Sequence, residues 1–166
     1  VTLLYPFRPD FYRRMGYGMS TPVYHYRVET GALPDRGSRD NVRFLTIKDA
    51  DKVYKFQKEY CEKHNGMITM RKYEVNRFLK SQMKALGVFR NKKLEAIAFF
   101  KFSKASKDTF IKNDIDMLLM ETSGPAALLD LFSFLYVQKD QIDAVKFIMQ
   151  DNSLAYVLGD PRGAEH

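Results

Sequence analysis

The 166-residue sequence contains no tryptophan, a single cysteine and three histidines. One cysteine, Cys61, excludes an internal disulfide and any multi-cysteine metal centre. It fits a reducing compartment, and a cytoplasmic location is the expectation. His25, His64 and His166 are far apart in sequence, without an H-x-x-x-H or carboxylate spacing. No metal site is therefore expected. No apolar run approaches the roughly 20 residues of a membrane-spanning helix. Val1–Leu4 has no charged region before it and is too short for a signal segment, so no secretory leader is expected. Internal repeats and low-complexity tracts are also lacking.

What is present is aromatic bulk: 13 Phe and 10 Tyr can fill a core without tryptophan. Hydrophobic residues make up 45% and charged residues 28%, a globular and not a disordered balance. The net charge is +7, with 27 Lys and Arg against 20 Asp and Glu. No block of five like charges occurs, so the charge reads as a scattered solvated surface. Nucleic acid is not an expected partner. The Phe-rich run 97–102 lacks the interleaved Lys/Arg-Gly pattern of an RNA-binding sheet.

Met19 to Glu29 is β-rich through Val23, Tyr24, Tyr26 and Val28, with Pro22 making its start irregular. The Gly/Pro/Asp/Ser-rich stretch 31–40 reads as a linker. Val42–Ile47 reads as a strand. A helix over 49–64 places Val53, Phe56, Tyr60 and Cys61 on one apolar stripe, with Thr46 or Asp49 as cap and Asn65-Gly66 as stop. A second helix over 71–84 aligns Val75, Phe78, Leu79 and Met83. Three strands follow: 86–90, then 94–103 after the polar turn Asn91-Lys92-Lys93, then 110–121 after a hairpin loop at 105–108. The spacing puts Ile115, Met117 and Leu119 on one face of the last strand, Leu118 and Met120 on the other, and leaves Asp114 and Asp116 solvated. A helix over 124–138 is apolar nearly all round, capped by Ser123 with Pro125 in its first turn. A strand at 144–149 and a short helix at 151–158 complete the chain. The fold class is α+β, a mixed, mainly antiparallel sheet flanked by helices.

The N-terminal stretch Tyr5-Pro6-Phe7-Arg8-Pro9-Asp10-Phe11-Tyr12-Arg13-Arg14-Met15-Gly16-Tyr17 has its own logic. Val1–Leu4 is a short strand that Pro6 ends. Pro9 suits the first turn of a helix, and Gly16 suits the left-handed residue that closes one. Phe11-Tyr12-x-x-x-Gly16-Tyr17 resembles the closing segment of a GNAT acetyltransferase, F-Y-x-x-x-G-F/Y. With Tyr5-Pro6-Phe7 before it, the run is similar to the Eis (enhanced intracellular survival) type of bacterial N-acetyltransferase. The order of elements after residue 42 also resembles the GNAT order, less its final strand. In the family a tyrosine at the place of Tyr12 is the general acid that reprotonates the departing coenzyme A thiolate, and a phenol is a competent donor at neutral pH.

The resemblance implies a fragment: residues 1–30 as the end of a first, catalytic GNAT domain, 31–40 as linker, and 41–166 as a second GNAT-like domain. It implies acetyl-CoA as co-substrate, held mainly by residues outside this chain, with Tyr12 as the one catalytic and cofactor-facing residue within it. A primary amine is the expected acceptor, aminoglycoside, polyamine or lysine, in a homo-oligomer. The family's base is the C-terminal carboxylate of the whole protein, and His166 is no stand-in for it. The family's R/Q-x-x-G-x-G/A pyrophosphate loop corresponds here to Glu121-Thr122-Ser123-Gly124-Pro125-Ala126-Ala127, which has one glycine, an acid at its head and a proline that removes an N–H. The second domain is therefore expected not to hold acetyl-CoA. The alternative is a non-catalytic structural or interaction module.

Overall fold

The computed structural model describes residues 4, 6–19, 24–105, 112–149 and 154–158. The expected strand at the N-terminus, the 105–108 hairpin loop and the start of the last short helix fall largely outside them. The expected α+β class holds: a six-stranded sheet carries helices on both faces.

In chain order the elements are α1 (Pro9–Arg14), β1 (Tyr24–Glu29), β2 (Val42–Phe44), α2 (Ala50–Lys63), α3 (Lys72–Lys80), β3 (Lys84–Arg90), β4 (Lys93–Lys104), β5 (Asn113–Thr122), α4 (Pro125–Tyr136), β6 (Ile142–Met149) and α5 (Leu154–Val157). The sheet order is β1-β6-β5-β4-β3-β2. All neighbours are antiparallel except β5 and β6, which α4 connects as a crossover. Among the described residues after 42, no strand follows β6. β1, from earlier in the chain, occupies the sheet edge beside β6, from Tyr24 opposite Met149 to Glu29 opposite Ala144.

β4 is the inner strand that its two apolar faces predict. Ala96, Ala98 and Phe100 join the core under α4, with Leu131, Phe132, Leu135, Val145 and Phe147. Ile97 and Phe99 join the opposite core under α2 and α3, with Val53, Phe56 and Val75. The turn between β3 and β4 needs two left-handed residues, and Asn91 and Lys92 supply φ of 50° and 65°.

Several boundaries differ from the sequence reading. The second helix stops at Lys80, because the Ser81 N–H and Oγ both bond the Phe78 carbonyl. Met83 lies outside it, and β3 starts at Lys84 because Lys84 and Ala85 already pair with β4. The N-cap of α4 is Gly124, while Ser123 makes no capping bond. Asp114 is not solvated. It is 1% exposed, ion-paired to Lys146 at 2.8 Å, and accepts the Ala144 N–H at 3.2 Å.

The 31–40 stretch is turn-rich as composition suggests, with 3₁₀ turns at Thr30–Ala32 and Arg39–Asn41. It is also pinned to α4. Gly37 N donates to Ser133 Oγ, Ser38 N to Asp130 Oδ1 and Asn41 Nδ2 to Asp130 Oδ2, each at 2.7 Å. Gly37 passes so close to α4 that a Cβ there would collide with the Leu129–Asp130 peptide.

Candidate functional site

Tyr12 lies in α1, a single helical stretch with Pro9 at its start. The helix closes by a double turn: Tyr17 N donates to Tyr12 O at 3.1 Å and Gly16 N to Arg13 O at 3.0 Å. Gly16 takes a φ of +85°, which only glycine adopts without strain. The closure brings Tyr17 back beside Tyr12. Three rings then stand edge-on around the phenol: Phe7 at 5.5 Å, Phe11 at 5.3 Å and Tyr17 at 5.7 Å. Tyr12 and Tyr17 are half-buried, and the edge-to-face pairs favour one orientation of the Tyr12 ring. Phe7 and Phe11 themselves stay open to solvent, and α1 buries none of its residues.

The β5–α4 turn is the second place singled out by sequence. Pro125 has no N–H, and the Ser123 N–H is taken by the Glu95 carbonyl at 2.8 Å. Gly124 is extended, with φ 169° and ψ 176°. A helix N-terminus binds anions through free N–H groups, and Pro125 at the first position of α4 supplies none.

Glu121 itself does something the sequence does not disclose. The pairing of β4 with β5 shifts register between Phe99 and Phe100, leaving Leu118 as the extra residue. A bulge of this kind re-aims every following side chain. Ile115 and Met117 face the α4 core, but Leu119 turns to the α2 core and Met120 back to α4. The simple alternation expected for this strand fails at that point. Glu121 consequently points toward α2, where it is 1% exposed.

Its surroundings are sparse in partners. Gln57 Nε2 approaches Oε1 at 3.5 Å, and among the described residues Oε2 has no hydrogen-bond partner. Burial holds the carboxyl up at about 7, against a weaker opposing pull from Gln57 and His64. A carboxyl that titrates near neutrality has the acidity of a general acid or base. The adjoining cleft, however, is walled by Phe56, Tyr60, His64, Lys93, Leu94 and Ser123, and the Glu121 carboxylate is not among its walls. One signal for Gln57 was available: it interrupts the apolar stripe of α2, four residues from both Val53 and Cys61.

A larger cleft of about 360 Å³ opens on the same side of the sheet, where α2 and α3 do not reach. Arg27, Lys101, Asp116, Leu118, Lys146 and Ile148 line it. Its cations are paired, Lys146 with Asp114 at 2.8 Å and Arg27 with Asp143 at 2.8 Å. Beside it β5 pairs with β6 only from Asn113 to Met117, so residues 118–122 run on without that neighbour.

This arrangement has solved counterparts. The fold is that of the GCN5-related N-acetyltransferases. A GCN5-related N-acetyltransferase from Anabaena variabilis superposes with a TM-score of 0.81 at 14% identity, over 98% of this chain and 42% of its own. One from Kribbella flavida gives 0.75 at 16% identity, over 98% and 39%. A protein of unknown function from Enterococcus faecalis, described as a probable N-acyltransferase, gives 0.74 at 13% identity, over 96% and 41%. The chain thus spans about two fifths of the length of these structures. No family model matches the sequence, and no curated protein matches it. At these identities the likeness shows the GNAT fold; the activity is a separate inference. Among the described residues no helix is long and apolar enough to cross a membrane.

Proposed function

We propose that this chain is part of an acetyl-CoA-dependent N-acetyltransferase of the Eis type, acting on a primary amine such as an aminoglycoside, polyamine or lysine. The observation that carries the reading is the caged tyrosine: Tyr12 sits in the F-Y-x-x-x-G-Y turn with its ring fixed by Phe7, Phe11 and Tyr17. The fold shared with N-acetyltransferases over 98% of the chain supports it. In the reaction the amine nitrogen attacks the thioester carbonyl, the C–S bond breaks, and the departing thiolate takes the Tyr12 hydroxyl proton. The base that accepts the amine proton belongs to the longer polypeptide.

On this reading residues 1–30 close a first, catalytic domain, with β1 lent to the sheet edge of the second. Residues 31–40 connect the two, and 41–166 form a second domain that supports and does not catalyse. The blocked turn at 121–127 favours that division of labour.

The test has two arms. The 166-residue chain titrated with acetyl-CoA in a calorimeter should show no micromolar binding. The longer polypeptide, given acetyl-CoA and a panel of amines, should release thiol in an amine-dependent manner. Micromolar binding by the short chain would overturn the supporting role of 41–166. Absence of thiol release with every amine class would overturn the transferase reading.

A further inference from the structure

The loop between α2 and α3, residues 64–71, is held by the Gln57 amide, alongside a Thr69–Cys61 bond and Met70 packed on the α2 core. Gln57, 1% exposed, donates Nε2 to the Ile68 carbonyl at 3.2 Å and accepts the Met70 N–H on Oε1 at 2.9 Å. The same Nε2 stands 3.0 Å from Cys61 Sγ and 3.5 Å from Glu121 Oε1. An amide has two N–H bonds to give. Three acceptors compete for them, and Glu121, with its orphaned Oε2, is the least satisfied.

The competition depends on the charge of that carboxyl. A neutral acid is a modest acceptor, and Gln57 is left to the loop. A carboxylate is a strong one, because hydrogen bonds to an ionised acceptor are roughly twice as strong as neutral ones. A buried carboxylate with an empty oxygen also costs free energy until it gains a donor or water. The ionisable groups facing it are few. From α2 comes Cys61, whose thiol burial and the Glu121 charge push up, and just past the end of α2 comes His64, which favours the carboxylate. The loop contributes Thr69, bonded to Cys61, and β4 sets apolar Ile97 directly opposite. Burial outweighs all of these and places the titration near neutral pH.

We infer that Glu121 and Gln57 form a proton-operated latch. While Glu121 holds its proton, Gln57 clasps the 64–71 loop at Ile68 and Met70. When the proton leaves to solvent, Gln57 swings to the carboxylate and its hold on Ile68 and Met70 is released. Ile68, already an exposed apolar residue on that loop, is then free to move.

Amide hydrogen exchange on the 166-residue chain at pH 6 and pH 8, corrected for intrinsic rates, tests the latch. The Met70 amide should lose about tenfold in protection between the two, following the ionised fraction of a group titrating midway. Glu121→Gln, which keeps the neutral shape, should hold that protection constant. A Met70 amide that is insensitive to pH, or one equally sensitive in the variant, overturns the latch. So does a loss shared equally by the amides of Val88 and Ala98 in the sheet, which would report global opening instead.

Discussion

Asp49 and Glu121 are buried carboxyls whose surroundings drive them in opposite directions. The Arg43 guanidinium at 2.6 Å, helped by the Thr46 N–H at 3.0 Å, holds Asp49 down at about 2. Its contribution to stability is therefore present above its ordinary value of 3.8 and is lost as pH falls toward 2. Glu121 is raised from 4.5 to about 7, so the folded state binds a proton that the unfolded chain releases. The fold is favoured below 4.5 and weakened as pH rises through 7. The difference between those limits is worth about 3 kcal/mol. Thermal midpoints should fall from pH 5 to pH 8 in the native protein and stay level over that range in Glu121→Gln. A native curve that is flat there would contradict the burial account. The Tyr12 turn was legible in sequence because Pro9 and Gly16 mark its ends. The direction of Glu121 was not, because one bulged residue, Leu118, inverts the alternation without leaving a mark in composition.

At the scale of elements, periodicity located the helices and strands, and their ends were decided by contacts. Met83 fits the apolar spacing of α3, yet strand pairing from Lys84 claims the chain first. In α4 the apolar residues Ala127, Leu131, Phe132 and Leu135 are buried as its composition suggests, while Pro125 and Ala126 at its start are exposed. Phe132, 0% exposed, packs its ring 6.0 Å from that of Phe147. Phe132→Ala should cost about 3–5 kcal/mol by urea denaturation, and a loss under about 1 kcal/mol would mean that this face is open. The 31–40 stretch carries a more specific expectation. Gly37→Ala introduces a Cβ against helix backbone, which cannot rotate aside as a side chain can. It should destabilise by about 1–3 kcal/mol, as overpacking does, while Gly31→Ala, with open space around it, should cost far less. Equal costs at both positions would show that 31–40 is not docked on α4. Composition marked the turns of this stretch but not its docking, which depends on Asp130 and Ser133, some ninety residues further on.

For the whole molecule, the pairing of β1 with β6 was beyond sequence reading, since its partners lie at opposite ends of the chain. The N-terminal segment carries an apolar surface. Phe7, Phe11, Met15 and Met19 are exposed, at 76%, 47%, 61% and 73%. Large apolar side chains grouped on one segment mark a surface made for a partner. In sedimentation experiments the 166-residue chain should self-associate with rising concentration, and replacing Phe7, Phe11 and Met15 by Ser should abolish this. A monomer at all concentrations would remove that surface as an interface between copies. The central claim is that Tyr12 is the proton donor of an acetyl transfer, and Tyr12→Phe in the longer polypeptide tests it most directly. The substitution removes the hydroxyl and keeps the caged ring. The account predicts a fall in kcat of about 10²–10⁴, with KM for acetyl-CoA and the thermal midpoint little changed. Unchanged turnover with a lowered midpoint would contradict it and leave Tyr12 as a packed aromatic.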